Sequence, residues 1–227
     1  MNKLAGMIFD FCLTSLCIGC SEPLKSPNKF ICDDCTATFN TASAGQLHDT
    51  YRQNFSATKM IDSFYSLFVY NKEEPIHECI HSLKYRSNFG AAEHFGEMLG
   101  QKFKNEIVSN GIDLILPVPI HSLRYSERGY NQSAFIAKGI SKVLSICYDK
   151  SLIKRIRNTP TQTGLDRDER LSNVSKAFKT NKGNLLTGKN ILLIDDVITT
   201  GATINECAKA LRQYSPNIII ACSVAIV

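Results

Sequence analysis

The stretch Asn190–Leu211, NILLIDDVITTGATINECAKAL, decides the fold. An apolar run of strand type, Ile191–Ile194, ends in two adjacent carboxylates, Asp195 and Asp196. Thr199, Thr200, Gly201 and Thr203 follow, and Ile204, Cys207, Ala208 and Leu211 then recur at helical spacing. A nearly continuous apolar strand that passes through a short loop into a helix is the unit of a mainly parallel, twisted α/β sheet, buried on both faces. Such a loop offers unpaired amides and the positive end of the helix dipole. The threonine hydroxyls add donors, and Gly201 lets the backbone close around a compact anion. Two carboxylates beside that anion would repel it unless they meet something else: sugar hydroxyls, or Mg2+ carried by a polyphosphate. A 5-phosphosugar with its neighbouring hydroxyls free satisfies both halves of the loop. The loop is not of the Walker type, because GxxxxGK[ST] occurs nowhere in the chain.

The flanking sequence repeats the alternation. Ser63–Asn71 and Ile112–Pro119 read as strands, and the closing run IIIACSVAIV, 218–227, reads as another. Pro75 opens a helix carrying Ile76, Cys79, Ile80 and Leu83 on one face, with Lys84 near its end as a favourable dipole partner. One longer helix is predicted to carry Phe95, Met98, Leu99, Phe103 and Ile107, and another Ile136, Ile140, Val143 and Leu144. In doubly wound sheets, ligands sit beyond the carboxyl ends of the strands, where Asp195-Asp196 and Pro117–Pro119 fall.

The chain has 227 residues, 44% of them hydrophobic, enough for one core-bearing domain and an appendage. No apolar run reaches the ~20 residues of a membrane helix, and Asp10 interrupts the only stretch resembling a secretory signal, so a cytoplasmic protein is expected. The net charge is +5, but between Ile120 and Asn190 there are 14 Lys and Arg against 5 Asp and Glu. That basic centre points to an anionic ligand, phosphate or nucleic acid, with a solvated basic face as the alternative.

Nine cysteines include two pairs, Cys17-x2-Cys20 and Cys32-x2-Cys35, separated by eleven residues. Two such pairs complete a tetrahedral all-sulfur shell for Zn2+, and four thiolates leave no open position, so the role is structural. The expected organisation is a zinc ribbon over 1–42, a polar linker with an irregular turn over 43–62, and the α/β domain over 63–227.

The run LLIDDVITTGAT, 192–203, resembles the signature of type I phosphoribosyltransferases, which bind phosphoribosyl pyrophosphate (PRPP). With the four cysteines, SLKYRSNFG (82–90), LPVPIHSLRYSERGYNQSAFIAKGI (116–140) and TQTGLDRDERLSNVSKAF (161–178), the chain resembles the ComF-type competence proteins nearly end to end. That resemblance implies a zinc ribbon fused to a phosphoribosyltransferase-like fold, with a role in single-stranded DNA uptake during natural transformation. It implies PRPP with Mg2+ as ligand, and single-stranded DNA and other DNA-uptake proteins as partners. Carried over residue by residue, Asp195 and Asp196 bind the ribose hydroxyls and metal, and Thr199, Thr200, Gly201, Ala202 and Thr203 hold the 5-phosphate. Pro117-Val118-Pro119 forms a pyrophosphate loop assisted by Arg124 and Arg128, and 157–173 matches a lid contributing Gln162 and Arg170. Asp195, Asp196, Arg128 and Arg170 form the implied catalytic set. The run Arg128–Gln132 reads as a helix cap through Asn131, as part of the site, or as both, and His121 reads as an exposed loop histidine or as a base. The acceptor is not legible. Phosphoribosyl transfer and a non-catalytic PRPP- or nucleic-acid-binding adaptor, with Tyr125 and Tyr130 as stacking rings, both remain open.

Overall fold

The computed structural model describes residues 15–26, 29–86, 88–158 and 176–227. Its centre is a four-stranded, all-parallel sheet of β1 (Ser63–Val69), β2 (Leu114–Pro117), β5 (Asn190–Ile198) and β6 (Ile218–Ile226), in the order β1-β6-β5-β2. β3 (Ile153–Arg155) and β4 (Phe178–Thr180) form a separate antiparallel ribbon. The sheet strands are apolar on both faces because both are covered. Leu192, Ile194, Ile220 and Cys222 meet α3 (Pro75–Tyr85), α4 (Phe89–Lys102) and α7 (Gln132–Leu144). Ile191, Leu193, Ile219 and Ala221 belong to a second cluster with α8 (Ala202–Arg212). Residues i and i+1 of one strand thus feed opposite layers, as the pleat requires. On the first layer, α4 and α7 approach closely, since a Cβ on Gly139 would lie 2.0 Å from the Glu93 carbonyl oxygen.

Three expectations change. The segment assigned to a linker contains α2 (Ala44–Asn54), following the short α1 (Asp33–Thr38). α2 opens on a capping box in which the Ser43 hydroxyl accepts from Gln46 N–H and the Gln46 side chain accepts from Ser43 N–H. No residue of α2 is fully buried: its apolar side is only Leu47 and Tyr51, half-buried against the second cluster, and the buried anchors come just after, at Phe55 and Ile61. The long helix expected through Ile107 breaks at Phe103 into α4 and α5 (Lys104–Ser109), where the Phe103 ring stacks on Tyr65 at 5.0 Å. Finally, Asp195 and Asp196 lie inside β5 rather than at its end, because β5 stays paired with β6 as far as Ile198. On its other flank β2 stops at Pro117, opposite Ile194, so the last residues of β5 border an open cleft on that side. Among the described residues no helix is long and apolar enough to cross a membrane.

Candidate functional site

The cleft above the carboxyl ends of the strands has a volume of about 490 Å3. Its floor carries the two acids. Asp195 Oδ1 accepts from the Ser133 hydroxyl at 3.1 Å and from Asp196 N–H at 2.9 Å. Asp196 Oδ1 accepts from Val197 N–H at 2.7 Å, and Asp196 Oδ2 lies 3.4 Å from Lys84 Nζ. Burial, with the neighbouring Asp196 carboxylate second, pushes the Asp195 carboxyl up to about 7, against the pull of Asp196 N–H, Lys84 and Ser133. One further acidic charge in such a place is costly, so the pair is primed to take a cation or a row of hydroxyl donors.

Next to the acids the chain turns. Asp195, Thr199, Gly201, Ala202 and Thr203 line a small hollow of about 30 Å3 that adjoins the cleft. Gly201 adopts φ +68° as the N-cap of α8, which sets the positive end of the helix dipole at this turn. Among the described residues the buried Thr200 Oγ1 has no hydrogen-bond partner. An unpaired buried hydroxyl costs about 1–3 kcal/mol, so this is a position that a ligand would relieve.

Cations face the acids. Arg124, Arg128 and Arg155 line the same cleft as Lys84. Burial, and then the Arg128 charge, disfavour the charged form of Arg124; burial, and then Arg124, do the same for Arg155, which Asp195 opposes. Crowded guanidiniums of this kind suit a polyanion, whose oxygens they take bidentately. Arg128 is held with its guanidinium 5.3 Å from the centre of the Tyr85 ring. Val118 and Pro119 complete that wall, and the loop is fixed by Asn131, whose Nδ2 donates to the Val118 carbonyl at 3.0 Å.

Apart from the cleft lining, the Sγ atoms of Cys17, Cys20, Cys32 and Cys35 lie within 4.8 Å of one another. The Cys17–Cys35 and Cys20–Cys32 separations are 3.8 and 3.7 Å. A sulfur tetrahedron with metal bonds of about 2.3 Å has edges of about 3.8 Å, which these two separations match. Gly19 N–H and Cys32 N–H donate to Cys17 Sγ at 3.4 and 3.3 Å, the orientation a thiolate needs. Against burial, which acts the other way, the amides of Cys32, Cys20 and Gly19 bring the Cys17 thiol down to about 7. The cluster is seated on α3, because a Cβ on Gly19 would lie 3.2 Å from Pro75 Cβ and 3.4 Å from Cys79 Sγ. It is compatible with a structural zinc centre.

Residues 131–225 match the phosphoribosyl transferase domain family. Over 207 residues the chain is 30% identical to competence protein F of Haemophilus influenzae, an alignment covering 87% of this chain and 84% of that protein. The chain belongs to the competence protein F family. Another relative of this family member is competence protein ComFC of Bacillus subtilis, 26% identical over 87% of this chain and 78% of that one. The DNA utilization protein YhgH of Escherichia coli K12 is 30% identical over 61% of this chain and 62% of that one. Among solved structures, the glutamine PRPP amidotransferase of B. subtilis aligns at 19% identity with a TM-score of 0.44, covering 64% of this chain and 30% of that one.

Of the residues singled out from sequence, this family member brings Val118, Pro119, Arg124, Arg128, Asp195, Asp196, Thr199 and Thr203 into one cleft. Gly201 and Ala202 join through the adjoining hollow, whereas Pro117 is the buried last residue of β2. Gln162 and Arg170, with most of the expected lid, lie outside the described residues. His121 caps the short α6 (Ser122–Arg128) by accepting from Leu123 N–H at 3.3 Å, and Asn131 caps α7 by accepting from Ser133 N–H at 3.2 Å. Tyr130 cannot stack on a ligand: it is 5% exposed, donates to the Leu83 carbonyl, and burial pushes its hydroxyl up to about 12. Sequence reasoning missed Ser133 and Arg155, read Gln132 within the Arg128–Gln132 run, and left Lys84 open between a helix-end dipole partner and a site contact. Lys84 sits in the quoted SLKYRSNFG segment, which was its sole signal. Nothing local marked Arg155, whose place depends on the β3–β4 ribbon.

Proposed function

We propose that the cleft binds PRPP together with Mg2+, and that the protein acts on this ligand in the handling of single-stranded DNA during natural transformation. The observation that carries the reading is the pairing of Asp195-Asp196 with a hydroxyl-rich turn on one side and three arginines and Lys84 around the same cleft. In this assignment the twin acids receive the ribose hydroxyls. Thr199, Thr200, Gly201, Ala202 and Thr203 take the 5-phosphate, with Thr200 Oγ1 gaining the partner it lacks. The Pro117–Pro119 loop, Arg124 and Arg128 take the diphosphate, and the family resemblance assigns Gln162 and Arg170 to the same ligand.

Asp195 and Asp196 are oxygen donors of the kind Mg2+ prefers and would hold the ion, with Lys84 beside Asp196 Oδ2 sharing the charge of the pair. When bound, the ion supplies charge that neutralises the diphosphate as it leaves. Arg124, Arg128 and Lys84 add fixed positive charge at the same wall, while the acids face the anomeric centre as it becomes cationic. A nitrogen nucleophile then forms the new bond to that carbon as the bond to the diphosphate oxygen breaks. The names of the relatives, competence protein F and DNA utilization protein, and the basic centre of the chain support the nucleic-acid side of the reading. Retained thiols at the four-cysteine cluster fit a reducing, cytoplasmic setting.

The deciding experiment is calorimetric titration of PRPP with Mg2+ into the wild type and the double variant Asp195→Asn, Asp196→Asn. Heat of binding in the wild type, lost in a variant that keeps its circular dichroism, is the expected result; unchanged affinity removes the assignment. Release of pyrophosphate with some member of a panel of bases, amines and DNA ends makes the protein a transferase, and no release with any of them makes it a binder.

A further inference from the structure

The anion-binding turn is held from outside the sheet, by the segment that joins the cysteine cluster to β1. Asn54, the last residue of α2, donates from Nδ2 to the Thr199 carbonyl at 2.9 Å. Asn205, in the first turns of α8, donates from Nδ2 to the Asn54 carbonyl at 2.8 Å. Thr58 closes the set by donating its hydroxyl to Asn205 Oδ1 at 2.8 Å. Beneath it lies the fully buried Phe55, whose ring would meet a Cβ on Gly201 at 2.7 Å. The segment cannot drift, because Tyr51 Oη bonds the Ile61 carbonyl at 3.1 Å and Phe55 packs on Phe64 at 5.5 Å.

A buried or half-buried asparagine amide is expensive unless its donors are used. Here Asn54 uses its donor on the Thr199 carbonyl and Asn205 on the Asn54 carbonyl, and the geometry has a direction. In a trans peptide the C=O and the following N–H point opposite ways. Tying the Thr199 carbonyl to Asn54 therefore aims Thr200 N–H away from α2, and no α2 residue lines the hollow beside the turn. The Val118–Pro119 loop is held separately, by Asn131.

We propose that Asn54, Asn205 and Thr58 are positioning residues for the phosphate-monoester end of the site: they preorganise the Thr199–Gly201 turn for the 5-phosphate of a phosphosugar and leave the diphosphate end untouched. The inference rests on the phosphosugar reading of the cleft and adds to it a part of the chain beyond the matched phosphoribosyl transferase region.

The test uses the full chain with its zinc, titrated separately with ribose 5-phosphate and with inorganic pyrophosphate plus Mg2+. Asn54→Ala and Asn205→Ala should each bind ribose 5-phosphate roughly tenfold more weakly, the effect of losing one such hydrogen bond, and pyrophosphate within about twofold of wild type. Thr58→Ala, one bond further from the turn, should show the same split at smaller size and remains informative should either asparagine variant fail to fold. Restoring an amide with Asn54→Gln should recover part of the ribose 5-phosphate affinity. Equal losses for both ligands would mean a general loosening and overturn the proposal, as would no loss for either. A wild type that binds neither ligand would instead bring down the phosphosugar reading, and this inference with it.

Discussion

Gly201→Ala isolates the contact between α2 and the anion-binding turn. Two effects act at this position. The φ of +68° lies in the left-handed region, where an L side chain costs about 1–2 kcal/mol. The added methyl would also stand 2.7 Å from Phe55 Cε1 and 3.1 Å from Asn54 Cβ. Phe55 is wholly buried and cannot swing away, so overpacking adds about 1–3 kcal/mol. Gly188 supplies the reference: its φ is +70°, yet a Cβ there meets nothing within 4 Å. Gly188→Ala therefore pays only the backbone cost, and the difference between the two variants is about 2 kcal/mol of packing. For a chain of this length that separates their melting temperatures by ~4–8 °C in scanning calorimetry, Gly201→Ala melting lower. In a Phe55→Leu background, which removes the ring edge, Gly201→Ala should cost less than it does in the wild type, a coupling a double-mutant cycle reads directly. Equal melting temperatures for the two alanine variants, with no coupling to Phe55, would refute the claim that α2 packs against this turn.

Four other outcomes follow from the same geometry. The Asp195 carboxyl, raised to about 7 by burial and Asp196, is largely protonated below that pH, so affinity for Mg2+ with ribose 5-phosphate should be level above pH 7 and fall as pH drops below it. A pH-independent affinity between pH 5.5 and 8, after correction for ionisation of the ligand itself, would show that the acid is not engaged. The same raised value means the folded state loses stability as pH climbs from about 4, the ordinary carboxylate range, to about 7; Asp195→Asn should flatten that part of the melting profile. Thr200→Val removes the unpartnered hydroxyl and should leave thermal stability equal or higher while weakening ribose 5-phosphate several-fold; unaltered binding would mean the hydroxyl serves no ligand. Strong chelators should release one Zn2+ per chain and lower the melting temperature, and Cys17→Ser should reproduce both effects, because the cluster is seated against α3.

The sequence by itself determined the elements whose cause is local. Two CxxC pairs define a sulfur shell because each pair reaches one ion across only two residues. An apolar run, two acids, three hydroxyls and a glycine define strand, turn and helix because period and turn chemistry act over a few residues. Tertiary structure alone decided which distant groups share the cleft. Lys84 reaches Asp196, and Arg155 joins Arg124, only once the helices and the β3–β4 ribbon have packed. The acids border the cleft on one flank because β2 is shorter than β5, a matter of register between strands far apart in the chain. α2 shows the limit most clearly. It fully buries none of its own residues and offers only Leu47 and Tyr51 as an apolar pair, yet Asn54 holds Thr199, 145 residues away. A polar side chain reads as solvated surface in a sequence, and its partner is chosen only when the fold brings one within hydrogen-bonding distance.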